Sequence, residues 1–199
     1  MDNPISTPCN PAGDARHHKG KPSSYWMHDP EIIFRELALK DGDVFLDLGC
    51  GTGDYSVRAA KEVGDEGIIY AADIRKELLD SLAERASATG LGTIRVVAMD
   101  LRNPLPFRDA GIDICLISTV LHVPDVWKER ERIFPELRRV MRPGGRLAVI
   151  ECKKEKTPFG PPLSMRISPD ELETCISRHG FSSTGLVDLG YNYMMKFCL

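Results

Sequence analysis

The chain has 199 residues, 42% of them hydrophobic and 28% charged, with a formal net charge of -3. That length suits one substantial core and is short for two, and the charge supplies no general field for nucleic acid or an anionic membrane. No run approaches the roughly 20 apolar residues of a bilayer span, the first residues lack a secretory-signal pattern, and the six cysteines are scattered with no C-x-x-C pair, so a cytoplasmic protein in a reducing compartment is expected.

Residues 1–24 are rich in Pro, Gly, Ser, Asn and His without an apolar period, and are expected to be a flexible arm ahead of a single domain over 25–199. Asp29-Pro30 marks a helix start, a capping side chain followed by proline, with Ile33, Phe34 and Leu37 on one face. Short apolar runs follow at Val44–Leu48, Ile68–Ala72, Ile94–Met99, Ile112–Ser118 and Leu147–Glu151. Helix candidates at Tyr55–Val63, Lys76–Ala88 and Asp125–Met141 interleave with them. Continuous apolar runs of this length suit strands buried on both faces, and the alternation is a βαβ progression, hence a doubly wound α/β domain. Pro135 is expected to kink the third helix or restart it there. Ser168-Pro169-Asp170-Glu171 reads as a capping box opening a helix that ends near His179-Gly180. Phe181–Leu189 and Tyr191–Cys198, parted by Gly190, are forced antiparallel by so short a connection. The expectation is a seven-stranded sheet, mostly parallel, with one reversed C-terminal strand.

Chemistry concentrates in the turn DLGCGTGDYS, Asp47 to Ser56. Gly49, Gly51 and Gly53 give G-x-G-x-G, whereas the dinucleotide fingerprint needs G-x-G-x-x-G. The sixth place holds Asp54, which would repel a pyrophosphate. Asp47 stands at the carboxyl end of the first strand, the edge where open α/β sheets bind ligands. Its carboxylate suits an ammonium group, while the following helix N-terminus favours a carboxylate. Asp73, ending the second strand, is placed to accept bonds from both hydroxyls of a ribose. Amino acid plus ribose describes S-adenosylmethionine (SAM). Asp73 also reads as a cap for the segment at Arg75, and Asp100 as a cap before Asn103-Pro104.

On these residues the chain, from about Asp29 onward, resembles a class I SAM-dependent methyltransferase of the ubiquinone-biosynthesis-like group, with its Rossmann-like fold. The resemblance makes DLGCGTG the family's first motif, Asp73 the ribose-binding acid and Ile74 the apolar residue beside the adenine. It puts Asp100 of MDLRNPLPF near the adenine amino group, the Leu101 backbone near the ring, and LRRVMRPGGRLAVIE as the late helix-turn-strand motif. It implies SAM as cofactor and S-adenosylhomocysteine as product.

Methyl transfer from a sulfonium is an in-line displacement whose donor carries its own activation, so the protein mainly positions and desolvates the acceptor. The segment ISTVLHVPD has no N-P-P-[FY], which weighs against amine methylation of bases and glutamine amides. A Pro-Cys nucleophile and the clustered acids of metal-dependent catechol chemistry are also missing. His122, just past the fourth strand, is the candidate base or hydrogen-bonding partner of the acceptor, and it reads equally as a pocket-lining or structural histidine. Ser118 and Thr119 read as walls of the cofactor pocket. Tyr25 and Trp26 would form a lid that excludes water, or pack elsewhere on the sheet. In the connection after the fifth strand, Arg166 would clamp an anionic acceptor and Phe159 and Met165 would pack on an apolar one; the alternative is a solvated loop. His17, His18 and His28 have no cysteine or acid at ligand spacing, so no metal is expected. The leading reading is a methyltransferase for a small-molecule acceptor, with no membrane and no nucleic acid. An enzyme for RNA or protein and a non-catalytic SAM-binding protein are the alternatives, and the glycine spacing disfavours an NAD oxidoreductase.

Overall fold

The computed structural model describes residues 23–199; the expectations for residues 1–22, including His17 and His18, fall outside them. Seven strands occur in chain order: β1 (Val44–Leu48), β2 (Ile68–Asp73), β3 (Ile94–Ala98), β4 (Ile112–Ser118), β5 (Met141–Cys152), β6 (Ser182–Leu189) and β7 (Asn192–Cys198). Helices α1 (Pro30–Leu37), α2 (Asp54–Glu62), α3 (Lys76–Ala88), α4 (Pro124–Lys128), α5 (Arg130–Val140) and α6 (Pro169–Ser177) connect or precede them. They form one sheet in the order β3-β2-β1-β4-β5-β7-β6. The strands from β3 to β5 are parallel neighbours, and β7 is antiparallel to both β5 and β6. The single reversed strand is thus β7, slotted between two strands that precede it in sequence.

The apolar runs are continuous because each central strand is covered twice. Along β4, Ile112, Cys115 and Ile117 face the cluster built with Phe134 and Leu137 of α5 and Leu172 and Ile176 of α6. Ile114 and Leu116 face Ile33, Phe34 and Leu37 of α1 and Tyr55 and Ala59 of α2. Each fully buried Phe or Leu in these layers contributes about 1.5–3 kcal/mol. Local signals agree with the packing. The Asp29 side chain accepts from the Glu31 N–H at 2.9 Å, and Ser168 and Glu171 close the capping box on α6, each cap contributing about 1 kcal/mol.

Two expectations need correction. The helix expected over Asp125–Met141 is broken at Glu129, between α4 and α5, and Pro135 lies inside α5. The Glu129 carbonyl accepts from both Arg132 and Ile133 N–H and starts the new helix there. Pro135 stays within α5, where its missing N–H leaves the Glu131 carbonyl without its ladder bond. The fifth strand starts earlier than Leu147. Met141 pairs with Ile112 and Arg146 with Ile114, so the Arg142-Pro143-Gly144-Gly145 turn is a bulge within β5. Gly144 makes this possible at φ 76°.

Candidate functional site

β1 delivers the chain into the glycine turn at the carboxyl edge of the sheet. The Gly49 and Cys50 N–H groups both donate to the Ala72 carbonyl, at 2.8 and 2.9 Å, which folds the turn across the end of β2. All three glycines have positive φ, 82°, 56° and 73° for Gly49, Gly51 and Gly53. A Cβ on Gly49 would collide with Val120 and one on Gly53 with Leu82, so those two also let neighbouring elements close in.

Above this turn lies a cavity of about 690 Å³. It is lined by four aspartates, Asp47, Asp73, Asp100 and Asp125, against two arginines, Arg75 and Arg102. An acid-rich pocket repels a pyrophosphate and suits a ligand carrying positive charge. Asp47 is only 1% exposed and accepts from the Ser56 hydroxyl at 2.6 Å. Burial pushes its pKa up to about 7 despite that hydrogen bond, with the charges of Asp73 and Asp54 adding to the rise.

Asp73 and Asp100 are held alike. Asp73 accepts from the Arg75 N–H (2.9 Å) and Nε (3.1 Å) on one oxygen, and from the Gly51 N–H (2.8 Å) and the Arg75 guanidinium (3.3 Å) on the other. Burial works against its charge, but these donors hold its pKa below the ordinary aspartate value. Asp100 takes the same Asp-x-Arg hook from Arg102, at 2.9 Å to the N–H and 2.6 Å to a guanidinium nitrogen. Arg75 and Arg102 were not anticipated as partners; their spacing two residues after each acid was the available signal.

The opposite rim carries a buried acid that sequence reasoning missed. Glu151, near the carboxyl end of β5, is 0% exposed. One carboxylate oxygen accepts from the Leu121 and His122 N–H groups at 2.8 and 3.2 Å, and the other lies 2.8 Å from His122 Nδ1. A carboxylate only accepts, so Nδ1 is the donor in this contact. The signal was an acid closing an apolar strand at the same sheet edge as Asp47 and Asp73.

His122 is also a wall of a second cavity, of about 640 Å³, formed with Trp127, Met165, Ile167 and residues of α5 and α6. Of the residues singled out for the acceptor, Met165 and Arg166 line it. The Arg166 guanidinium, however, donates to the carbonyls of Pro161, Lys153, Glu155 and Phe159 at 2.7–3.0 Å. It is 6% exposed, so the expected anion clamp is instead a staple for the loop after β5. Phe159 lines neither cavity and packs edge-on against Tyr191 at 4.6 Å.

Asp47, Gly49, Gly51, Asp73, Ile74, Asp100 and Ser118 all line the first cavity. Gly53 and Leu101 do not; the Leu101 side chain packs on the core, leaving only its backbone for the expected role. The arm meets the rim through Ser23 and Ser24 rather than through Tyr25 and Trp26. Ser24 and Ser118 hydroxyls pair at 2.9 Å. Tyr25 stands edge-on to Tyr55 at 5.1 Å, while Trp26 is exposed, so a lid made by its ring is not the arrangement found.

Comparisons with known proteins agree on one fold. Residues 45–145 match the family described as "Methyltransferase domain". The chain is 31% identical over 128 residues to the demethylmenaquinone methyltransferase of Lactobacillus johnsonii, covering 64% of this chain and 51% of that protein. It is 36% identical over 127 residues to a ubiquinone/menaquinone biosynthesis C-methyltransferase of Vibrio campbellii, covering 63% and 46%. The chain therefore spans about half the length of the curated relatives it matches. Among solved structures, a SAM dependent methyltransferase from Aquifex aeolicus superposes with a TM-score of 0.80 at 29% identity, over 89% of this chain and 93% of that one. No helix among the described residues is long and apolar enough to cross a membrane.

Proposed function

Since the chain belongs to the class I SAM-dependent methyltransferase family, we propose that it transfers the methyl group of SAM to a small-molecule acceptor seated in the second cavity. The observation that carries this reading is His122, a wall of both cavities. A donor in one cavity and an acceptor in the other meet at its ring. In this reading Asp47 pairs with the SAM ammonium, Asp73 takes the ribose hydroxyls, and Ile74 and Asp100 border the adenine. The glycine turn lets the cofactor approach the backbone. His122 Nε2 removes a proton from an acidic hydroxyl or carbon acid while Glu151 holds the ring and the positive charge it gains. SAM, when bound, would supply an activated methyl group for in-line transfer to the deprotonated acceptor, with a neutral thioether as the leaving group.

Trp127, Met165 and Ile167 favour a flat apolar acceptor, and His122 favours one that carries an ionisable hydroxyl. The names of the two quinone-pathway relatives point the same way, to a reduced quinone or similar phenol. Four free, buried cysteines, Cys50, Cys115, Cys152 and Cys175, fit work in the cytoplasm. The test is S-adenosylhomocysteine release from purified protein with SAM and, separately, a demethylated naphthoquinol, a simple phenol, bulk RNA and a protein extract. Product with the quinol or phenol is expected. Product only with RNA or protein overturns the acceptor class, and no product with any of them favours a non-catalytic SAM-binding protein.

Two further results follow from the cofactor side. Only ionised Asp47 pairs with an ammonium, so with its pKa raised to about 7 SAM affinity falls below that pH, and it also falls above about pH 8, where the ligand's α-amino group loses its proton. A drop of roughly fivefold is expected between about pH 7.5 and pH 6, abolished in Asp47→Asn, as read by calorimetry; an equal pH slope in the variant removes Asp47 from the ammonium site. The Arg75 guanidinium holds acceptor positions on Asp73 that the ribose would use, and Arg75 is half exposed, so its ion pair contributes at most about 1 kcal/mol. Arg75→Ala is expected to tighten SAM up to about fivefold. Weaker binding in that variant would show that Arg75 helps hold the cofactor rather than competing with it.

A further inference from the structure

At the far wall of the second cavity, α5 and the end of α6 bring together three side chains of metal-ligand type. One ligand atom each from Glu131, Cys175 and His179 lies within 4.8 Å of the other two. Cys175 is on α6 and His179 just beyond its end, four positions apart and so on one face. Glu131 faces them from the first turn of α5. Glu131 and Cys175 line the cavity.

The state of His179 is the informative observation. Its ring stacks on Phe134 at 5.8 Å and 26°, and its carbonyl accepts from Arg138 at 3.1 Å, so its position is fixed. Its Nε2 is buried and has no hydrogen-bond partner among the described residues; Glu131 lies 3.4 Å away but without hydrogen-bond geometry. A buried polar atom in that condition destabilises the fold by about 1–3 kcal/mol. A cation between Nε2, the Glu131 carboxylate and the Cys175 sulfur would satisfy all three.

We propose that Glu131, Cys175 and His179 bind one divalent cation of borderline softness, zinc by preference, with a fourth coordination position open to the second cavity. Nitrogen, sulfur and carboxylate oxygen are zinc's donor set. Tetrahedral donors at zinc bond lengths of about 2.0–2.3 Å stand about 3.3–3.8 Å apart, so three ligand atoms within 4.8 Å of one another close on an ion by shifts of about 1 Å. Cys175 binds as the thiolate and its proton passes to solvent. Arg130, 3.8 Å from Glu131, and Arg178 add positive charge nearby; a thiolate and a carboxylate balance the ion itself. This site stands independently of the acceptor reading.

The test titrates the full chain with Zn²⁺ against a chromophoric chelator, and with Co²⁺ followed by thiolate-to-cobalt charge transfer in the near ultraviolet. His17→Ala with His18→Ala serves as background, because a histidine pair binds zinc by itself. One ion per chain is expected in the parent and in this double variant. Cys175→Ser on either background should abolish the charge-transfer band, and His179→Gln should weaken Zn²⁺ by more than about 100-fold, with circular dichroism unchanged. No stoichiometric site, a site lost with His17 and His18, or a cobalt spectrum indifferent to Cys175→Ser overturns the proposal. If Cys175→Ser fails to fold, His179→Gln and Glu131→Gln decide it by the same titration.

Discussion

Replacing Asp73 by alanine is expected to weaken SAM by about 2–4 kcal/mol, or roughly 30-fold to 1000-fold, while the protein stays folded. Two charge-assisted hydrogen bonds to the ribose would be lost, each worth about 1.5–3 kcal/mol, and their coupling keeps the total below the sum. The structure adds a second route to the same loss, because Asp73 also holds the Gly51 N–H at 2.8 Å and so fixes the glycine turn. Asp73→Asn should be milder, since an amide oxygen still accepts one bond. If the Arg75 N–H bond were the whole role of Asp73, both variants would lower stability by about 1 kcal/mol or less and leave SAM affinity intact. Calorimetric titration separates the cases, and an affinity within about threefold of the parent in Asp73→Ala removes it from the cofactor site.

Glu151→Gln is expected to reduce turnover by about 100-fold or more, the contribution of a general base, and to leave SAM binding unchanged. The glutamine oxygen can still accept from Leu121 and His122 N–H, so the backbone there should keep its shape. Its amide nitrogen, however, would meet His122 Nδ1 with a donor. The ring must then offer a lone pair at Nδ1 and carry its proton at Nε2, which leaves no base at the junction of the cavities. Nitrogen NMR of labelled histidine reads the tautomer directly, and S-adenosylhomocysteine release reads the rate. A switched tautomer with turnover within threefold of the parent would falsify the role given to His122.

What could be read from sequence divides along physical lines. The strands were legible because β1, β2 and β4 are buried on both faces and therefore apolar without interruption. The glycine turn was legible because its positive φ values admit few other residues. Helix breaks were less so: Pro135 is a strong local signal, yet the restart falls at Glu129, where no residue type announces it. Arg166 shows the limit for side chains in loops. An arginine in the loop after β5 suggests an anion, and only the folded loop reveals four carbonyls converging on it. Glu151 and His122 are 29 positions apart, and the register of β4 against β5 is what joins them. Such pairings have no local signature.

The placement of β7 also dictates an order of events during folding. Among the described residues β6 pairs with β7 alone, and β7 in turn bridges to β5. Until the β6–β7 pair docks, β5 presents a bare row of amides and carbonyls to its surroundings. The tight reversal at Gly190, at φ 79°, lets β6 and β7 zip together locally, so the last step is the arrival of a ready-made hairpin at a waiting edge. Before that step the nascent parallel half is a template for any extended segment nearby, including the same segment of another copy. Refolding at high protein concentration should therefore fail by intermolecular pairing at β5, and dilution should rescue it.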